Sequence, residues 1–117
     1  MHEYKLTLDI IEIASKYAAR LPDEKKRNVS KIILTIGESS GVLGESIQLY
    51  FDEFSIGTVC EGAQIEIEWI KSKLKCRICG NYFERKPFSF SCTQENCDGE
   101  GEPTEIGREF YVKSILV

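Results

Sequence analysis

Apolar residues recur at steps of three and four over residues 4–21, a spacing typical of one face of an amphipathic helix. The members of this stripe are Leu6, Ile10, Ile13, Ala14, Tyr17 and Leu21. Pro22 and the charged run after it favour an end to the helix. The same spacing predicts a second helix over residues 45–56, and Gly57 is a typical residue to stop it. Two amphipathic helices are therefore expected.

Three segments have the pattern of β-strands. Residues 28–36 are rich in β-branched side chains, and residues 63–70 alternate between apolar and polar side chains. Residues 109–117 form a last strand that becomes apolar on both faces at its end. Together these elements predict an α+β fold, with a three-stranded antiparallel sheet, two helices on one face, and a small zinc-ribbon-like domain inserted before the last strand.

The insert has a different composition from the rest of the chain. It covers residues 71–106 and holds four of the five cysteines, many charges and few aliphatic side chains. A segment of this size and composition needs a cross-link to fold. The chain is therefore divided into an α/β domain, residues 1–70 plus 107–117, and a metal-binding domain, residues 71–106.

The cysteines of the insert come in two pairs, Cys76 with Cys79 and Cys92 with Cys97, separated by two and four residues respectively. Two pairs on short turns can bring four thiolates to the corners of a tetrahedron, which is the geometry of structural Zn²⁺. Gly80 permits the tight turn after the first pair, and Gly99 offers a looser version of that turn after the second. A closed four-thiolate site leaves no open position for hydrolytic catalysis.

Other uses of four cysteines are open to the same residues. Two disulfides suit a secreted chain, but no export signal is visible, and a redox-active CxxC motif needs a βαβ unit that is not predicted. An iron–sulfur cluster is a further alternative. Structural zinc is the preferred interpretation. Cys60 has no second cysteine nearby and is interpreted as a small buried residue without a role.

Charge and hydropathy restrict the function. The formal net charge is −4, which gives no general attraction to nucleic acid or to an anionic membrane. No apolar run approaches the roughly 20 residues that span a bilayer, and a cytoplasmic location is expected. Zinc ribbons often bind nucleic acid through basic residues, and this insert carries Lys71, Lys73, Lys75, Arg77, Arg85 and Lys86. Acidic residues are interspersed among them, so these cations are interpreted as offsetting the negative thiolate site.

The single histidine, His2, directly follows Met1. The amine of Met1, the amide nitrogen of His2 and its imidazole can form fused chelate rings around one metal ion, and the amide nitrogen of Glu3 can complete a plane. Square-planar nitrogen ligation favours Ni(II) or Cu(II). The ordinary interpretation of a lone histidine in a tail is a solvated side chain, so this pattern alone does not decide the matter.

The motifs considered together resemble one known family. The start MHEYKLTLDIIEIA, the loop IGESSGV, the link GTVCEGA and the two cysteine pairs are similar in order to the hydrogenase-maturation nickel metallochaperones of the HypA/HybF type. The resemblance covers essentially the whole chain. One departure is the second cysteine pair, CTQENC, where the family has CxxC, and no histidine flanks the cysteines.

The resemblance implies a function and a set of sites. It implies a carrier and not an enzyme, with Ni(II) as transient cargo on His2, with Met1 and Glu3 beside it. It implies structural Zn(II) on Cys76, Cys79, Cys92 and Cys97. The implied partners are a nickel-handling GTPase and the large subunit of [NiFe]-hydrogenase, and urease maturation proteins for some members, with no nucleic acid or membrane. The expected state is a monomer or weak homodimer. A zinc-ribbon module that binds protein or nucleic acid is the alternative function.

Overall fold

The computed structural model describes the backbone of residues 2–117 and the side chains from residue 3 onward. Helix α1 spans His2–Ala19, and helix α2 spans Gly44–Phe54, with a short 3-10 turn at Asp23–Lys25 between them. None of the helices in this part of the chain is long and apolar enough to cross a membrane. Both predicted helices are confirmed, and α1 ends two residues before the predicted boundary because the chain turns ahead of Pro22.

Six strands form two sheets of three. The first sheet has the order β2-β1-β6 and the second the order β4-β3-β5. The strands are β1 Lys31–Gly37, β2 Gln64–Ile70, β3 Lys73–Cys76, β4 Tyr82–Glu84, β5 Gly101–Pro103 and β6 Phe110–Leu116. The α+β class, the first three-stranded sheet with two helices on one face, and the small inserted sheet are therefore confirmed.

The strand directions in the first sheet correct one expectation. Gln64 N donates to Ser30 O next to one end of β1, and Glu38 N donates to Ile70 O next to the other. The residue numbers of the hydrogen-bonded partners increase in the same direction along both strands, so β1 and β2 run parallel. The prediction of an all-antiparallel sheet was wrong for this pair, because α2 connects the two strands and a helical crossover returns the chain in the same direction.

The other pair in this sheet is antiparallel, as expected. Ser30 N donates to Leu116 O, and Gly37 N donates to Glu109 O. The residue numbers of the hydrogen-bonded partners increase along β1 and decrease along β6, so these two strands run antiparallel. The first sheet is therefore mixed, with β1 at its centre.

The chain forms two compact units. The first holds the chain through Thr35 together with Val42–Glu68 and Tyr111–Val117. The second holds Ile36–Gly41 and Trp69–Phe110, which include the inserted sheet and all four paired cysteines. Residues 38–41 of the loop between β1 and α2 thus belong to the second unit.

The first unit has a core built from its helices and the central strand. Ile32 and Leu34 on β1 and Ile47 and Phe51 on α2 have no exposed surface. On α1 the buried face differs from the predicted stripe: Ile13 and Tyr17 are 49% and 44% exposed. The buried positions of that helix are Thr7, Ile10, Ile11, Ala14 and Ala18. Ala14 and Ala18 are small, which allows α1 to pack closely in the first unit, and the larger Ile13 and Tyr17 lie outside the buried face.

We predict that Phe51→Ala lowers the free energy of unfolding by about 3–5 kcal/mol, because it leaves a cavity where a fully buried ring was. Urea denaturation followed by circular dichroism measures the change. Leu49→Ala is the matched control, since Leu49 lies on the same helix and is 71% exposed. Equal losses in the two variants would contradict the assigned core.

Candidate metal centre

Four cysteine sulfurs converge in the second unit. The Sγ atoms of Cys76, Cys79, Cys92 and Cys97 all lie within 4.8 Å of one another. The Cys76–Cys97 and Cys79–Cys92 sulfur pairs are each 3.6 Å apart. Sulfurs at the corners of a tetrahedron with metal–sulfur bonds of about 2.3 Å are separated by about 3.8 Å. The set therefore fits a tetrahedral four-thiolate site, and all four are free thiols, so the alternative of two disulfides has no support.

The first pair lies on a turn that leaves the end of β3. Cys76 is the last residue of that strand, and its amide donates to Asn81 O across the turn at 2.9 Å. Gly80 N donates to Cys76 O at 3.1 Å, and Gly80 has φ of 76°. A side chain at this φ would be strained, so the glycine after the second cysteine permits the turn, as expected.

The second pair lies on a loop that the wider spacing lengthens. Cys92 N donates to Gly99 O at 2.9 Å, next to the isolated bridge between Ser91 and Glu100. Cys97 N donates to Gln94 O at 3.2 Å, which closes a turn inside the pair. The two additional residues are therefore absorbed in this turn, and both sulfurs still reach the cluster.

Backbone amides favour negative charge on the first cysteine. The N–H groups of Cys79 and Ile78 donate to Cys76 Sγ, with N···S distances of 3.5 and 3.4 Å. These bonds, that of Cys79 foremost, lower the pKa of the Cys76 thiol to about 6. The CxxCG turn thus favours the thiolate form of Cys76, which is the form that binds a metal ion.

The thiols of the second pair behave differently. The Gln94 amide favours the Cys92 thiolate, but desolvation and the hydrogen bonds with neighbouring thiols outweigh it and raise the pKa of Cys92 to about 12. The pKa of Cys97 is also raised: the Gly99 amide favours its thiolate, and the contact with Cys76 and desolvation oppose it. Four adjacent sulfurs do not ionise together without a cation among them. A divalent ion supplies the charge that makes all four thiolates compatible.

Close packing beneath the cluster depends on two glycines. A Cβ atom built on Gly99 would lie 2.5 Å from Cys76 Sγ, and one on Gly101 would lie 2.6 Å from Leu74 Cβ. Gly99 is thus required for space at the sulfur and does not have the positive φ of a turn residue. Leu74, Cys76 and Phe83 form the small buried core there.

The cations around the cluster are partly neutralised by local carboxylates. Lys71 Nζ lies 3.6 Å from Glu84, and Arg77 Nε lies 3.3 Å from Glu102. The expected balance of basic and acidic residues therefore holds for Lys71 and Arg77, whereas Lys73 and Arg85 form no ion pair with a carboxylate of the described residues.

The three residues at the chain start are described unequally. Met1 lies outside the described residues, and His2 is described only as the first backbone position of α1. Glu3 is half-buried, and its Oε2 accepts a hydrogen bond from Leu43 N at 3.2 Å. The sequence does not predict this contact, because Glu3 and Leu43 are 40 residues apart and no local pattern connects them. The role of Glu3 beside a nickel ion stays a prediction.

Cys60 lies apart from the cluster in the first unit. It has no exposed surface, and its sulfur is 3.9 Å from Ser15 Oγ and 4.0 Å from Ile11 O. Burial raises the pKa of the Cys60 thiol, and the expectation that Cys60 is a small buried residue is confirmed.

Comparison with known proteins adds family information to this geometry. A family model described as hydrogenase/urease nickel incorporation, metallochaperone, HypA, matches residues 1–117. The chain belongs to the HypA family. The hydrogenase maturation factor HypA of Caldanaerobacter subterraneus subsp. tengcongensis is 36% identical over 118 residues, covering 100% of this chain and 99% of that protein. HypA of Dehalococcoides mccartyi strain CBDB1 is 34% identical over 117 residues, covering 100% and 94%.

Two solved HypA structures share the fold. A solution structure of HypA covers 99% of this chain and 95% of its own, with a TM-score of 0.68 and 24% identity. The Ni metallochaperone HypA of Helicobacter pylori covers 97% and 95%, with a TM-score of 0.61 and 22% identity. Membership of the HypA family, predicted from the Met-His-Glu start and the loop motifs, is confirmed.

We predict that Gly99→Ala weakens metal retention by about tenfold or more, because its Cβ displaces Cys76 Sγ from the cluster. Elemental analysis after timed exposure to a chelator measures the loss of bound metal. Gly62→Ala is the control, since no neighbour lies within 4 Å of a Cβ added there. Gly62 has a positive φ, which Gly99 lacks, so the control also shows how far backbone strain alone affects metal retention. Equal retention by wild type and Gly99→Ala would contradict the assigned packing.

Proposed function

We propose that the chain is a nickel metallochaperone that carries Ni(II) at its N-terminus and transfers it during maturation of [NiFe]-hydrogenase. Family membership supports the proposal most directly, since the family model describes nickel incorporation into hydrogenase and urease. The proposed ligands are the amine of Met1, the amide nitrogen and imidazole of His2, and a fourth nitrogen from Glu3.

The position of α1 suits this ligand set. The helix begins at His2, and the first four amides of an α-helix have no acceptor within the helix. Ionising the amides of His2 and Glu3 therefore breaks no intrahelical hydrogen bond. Two ionised amides also cancel the double charge of Ni(II), so the positive end of the helix dipole repels the complex little.

Glu3 takes part through its backbone in this proposal. Its carboxylate is already bonded to Leu43 N, next to the start of α2. The following residue, Tyr4, contacts the rings of Tyr50 and Phe54 on α2, with centroids 5.9 and 5.0 Å away. These contacts fix the first turn of α1 to α2 through side chains, and the proposal assigns the fourth ligand to the backbone nitrogen of Glu3.

The proposed role of the four-cysteine site is structural. A closed set of four thiolates suits Zn(II), holds the second unit together and has no open position for a reacting group. Cargo and cross-link are then separated by ligand type, because planar nitrogen ligands suit Ni(II) and a thiolate tetrahedron suits Zn(II).

Release follows from the chemistry of the nitrogen ligands. The amine, amides and imidazole must lose protons to bind, so acid favours release of nickel. Copper binds such ligands more tightly, so metal availability in the cytoplasm contributes to selectivity. The proposed partners are a nickel-handling GTPase and the hydrogenase large subunit, with urease maturation proteins as further recipients. The chain acts as a carrier and catalyses no reaction.

We predict that His2→Ala abolishes stoichiometric Ni(II) binding, because it removes the imidazole that closes the chelate. Calorimetric titration and the ligand-field spectrum of square-planar Ni(II) measure this loss. Zinc content of about one ion per chain and the circular dichroism spectrum stay unchanged. Acetylation of the N-terminus, which removes the free amine as a ligand, gives the same loss. Nickel binding by His2→Ala with a planar spectrum would refute the terminal site.

We predict that Glu3→Ala keeps the planar nickel spectrum, because alanine retains the amide nitrogen. Glu3→Pro has no ionisable amide and loses that spectrum, although proline is tolerated in the first turn of a helix. Both variants lack the carboxylate that accepts from Leu43 N, so the comparison isolates the backbone nitrogen. Loss of the planar spectrum in both would instead assign the carboxylate as the ligand.

The zinc-ribbon interaction module is the alternative function. It predicts salt-sensitive binding through basic residues of the insert and indifference to His2. The ion pairs of Lys71 with Glu84 and of Arg77 with Glu102 weigh against nucleic acid as its ligand.

A further inference from the structure

The loop after β4 displays an aromatic ring that the fold itself does not use. Ser89 N donates to Lys86 O at 3.1 Å, which closes a β-turn with Pro87 and Phe88 at its centre. Phe88 has φ of 59°, at the turn position where glycine or asparagine is favoured. Its ring is fully exposed, so no packing within the described chain compensates for the strained backbone. Such a conformation points to a function outside the fold.

A cleft of about 680 Å³ lies beside this turn, with all of its lining in the second unit. This volume is in the range of ligand-binding pockets, about 300–1,000 Å³. Its apolar lining comes from the turn, the central strand and the segment after β5. These residues are Leu74, Pro87, Phe90, Pro103 and Ile106.

The charged lining of the cleft is mostly positive. Lys73, Arg85 and Arg108 contribute cations, and Glu38 is the one acid among the residues that line it. Glu38 Oε1 already accepts a hydrogen bond from Ser72 N at 2.8 Å. Arg108 pairs with Glu105, whereas Arg85 lies over the ring of Phe90 at 4.8 Å. Arg85 and Lys73 have no ion pair with a carboxylate of the described residues. Positive charge is therefore concentrated at this cleft in spite of the overall charge of −4, and it favours an anionic ligand.

We propose that this cleft and the Phe88 turn bind an acidic segment of a partner protein in which apolar side chains alternate with carboxylates. The apolar side chains of the segment pack against the apolar lining, and its carboxylates pair with the cations of Lys73 and Arg85. Phe88 and Phe90 supply aromatic surface, which is enriched at the energetic centres of protein interfaces. The site is independent of the proposed nickel ligands, so a test of one does not decide the other.

An acidic polypeptide fits the cleft better than nucleic acid does. A phosphate backbone needs a continuous row of unpaired cations. Here the neighbouring Lys71 and Arg77 are paired with carboxylates, and further acids lie on the same unit. Short acidic segments tolerate such a mixed surface, because only two of their carboxylates need partners.

The test uses the zinc-loaded full chain and a blocked hexapeptide in which glutamate and phenylalanine alternate. In ¹⁵N NMR titrations we expect amide chemical-shift changes confined to residues 72–74, 85–90 and 103–108. We also expect peptide affinity to fall as salt is added. A hexapeptide with lysine in place of glutamate produces no shifts. Equal binding of the lysine peptide, tighter binding of oligothymidylate at these residues, or no shifts at millimolar peptide would each overturn the proposal.

Two variants test the residues that carry the site. Phe88→Gly and Arg85→Gln each weaken peptide binding by about tenfold, the loss typical of a central interface residue. The controls are Ile78→Ala, an exposed apolar residue of the same unit away from the cleft lining, and Arg77→Gln, whose cation is paired with Glu102. Phe88→Gly also relieves the positive φ, so its thermal stability stays equal or rises. Peptide affinity unchanged in both cleft variants would refute the assignment.

Discussion

The convergence of four thiol sulfurs within 4.8 Å is the constraint on which the second unit depends. The strands around it are three or four residues long, and the buried core is formed by Leu74, Cys76 and Phe83. So little apolar burial does not offset the conformational entropy of ordering such a unit. The proposed metal cross-link, shared by two turns, would supply the missing stability, and the close approach of the sulfurs explains why Gly99 must leave space beside Cys76 Sγ.

The two proposed metal sites meet opposite requirements with different parts of the chain. The proposed structural ion is held by thiolates from two turns, and amides of the first turn already donate to Cys76 Sγ. A cargo ion needs an accessible place and ligands that can be protonated, which a helix start provides. The contacts of Glu3 with Leu43 and of Tyr4 with Phe54 fix that start to a stable helix pair.

The sequence predicts much of this arrangement because the relevant signals are local. Helical and strand periodicities identify the five elements of the first unit, and CxxCG identifies the first metal turn. The direction of β2 is missed, since strand alternation carries no information about pairing partners. The buried face of α1 also differs from the predicted stripe, with Ile13 and Tyr17 half exposed, because packing in the folded first unit decides which of several apolar positions is covered.

The sequence by itself determined the class of elements, the cysteine pairs and the family, because each is written in the spacing of nearby residues. Only the tertiary structure decided that the longer CTQENC pair still reaches the cluster, that the Glu3 carboxylate is bonded to Leu43, and that Phe88 lies exposed at positive φ beside a basic cleft. Each of these features depends on contacts between segments that are far apart in the sequence, and local sequence patterns do not specify such contacts.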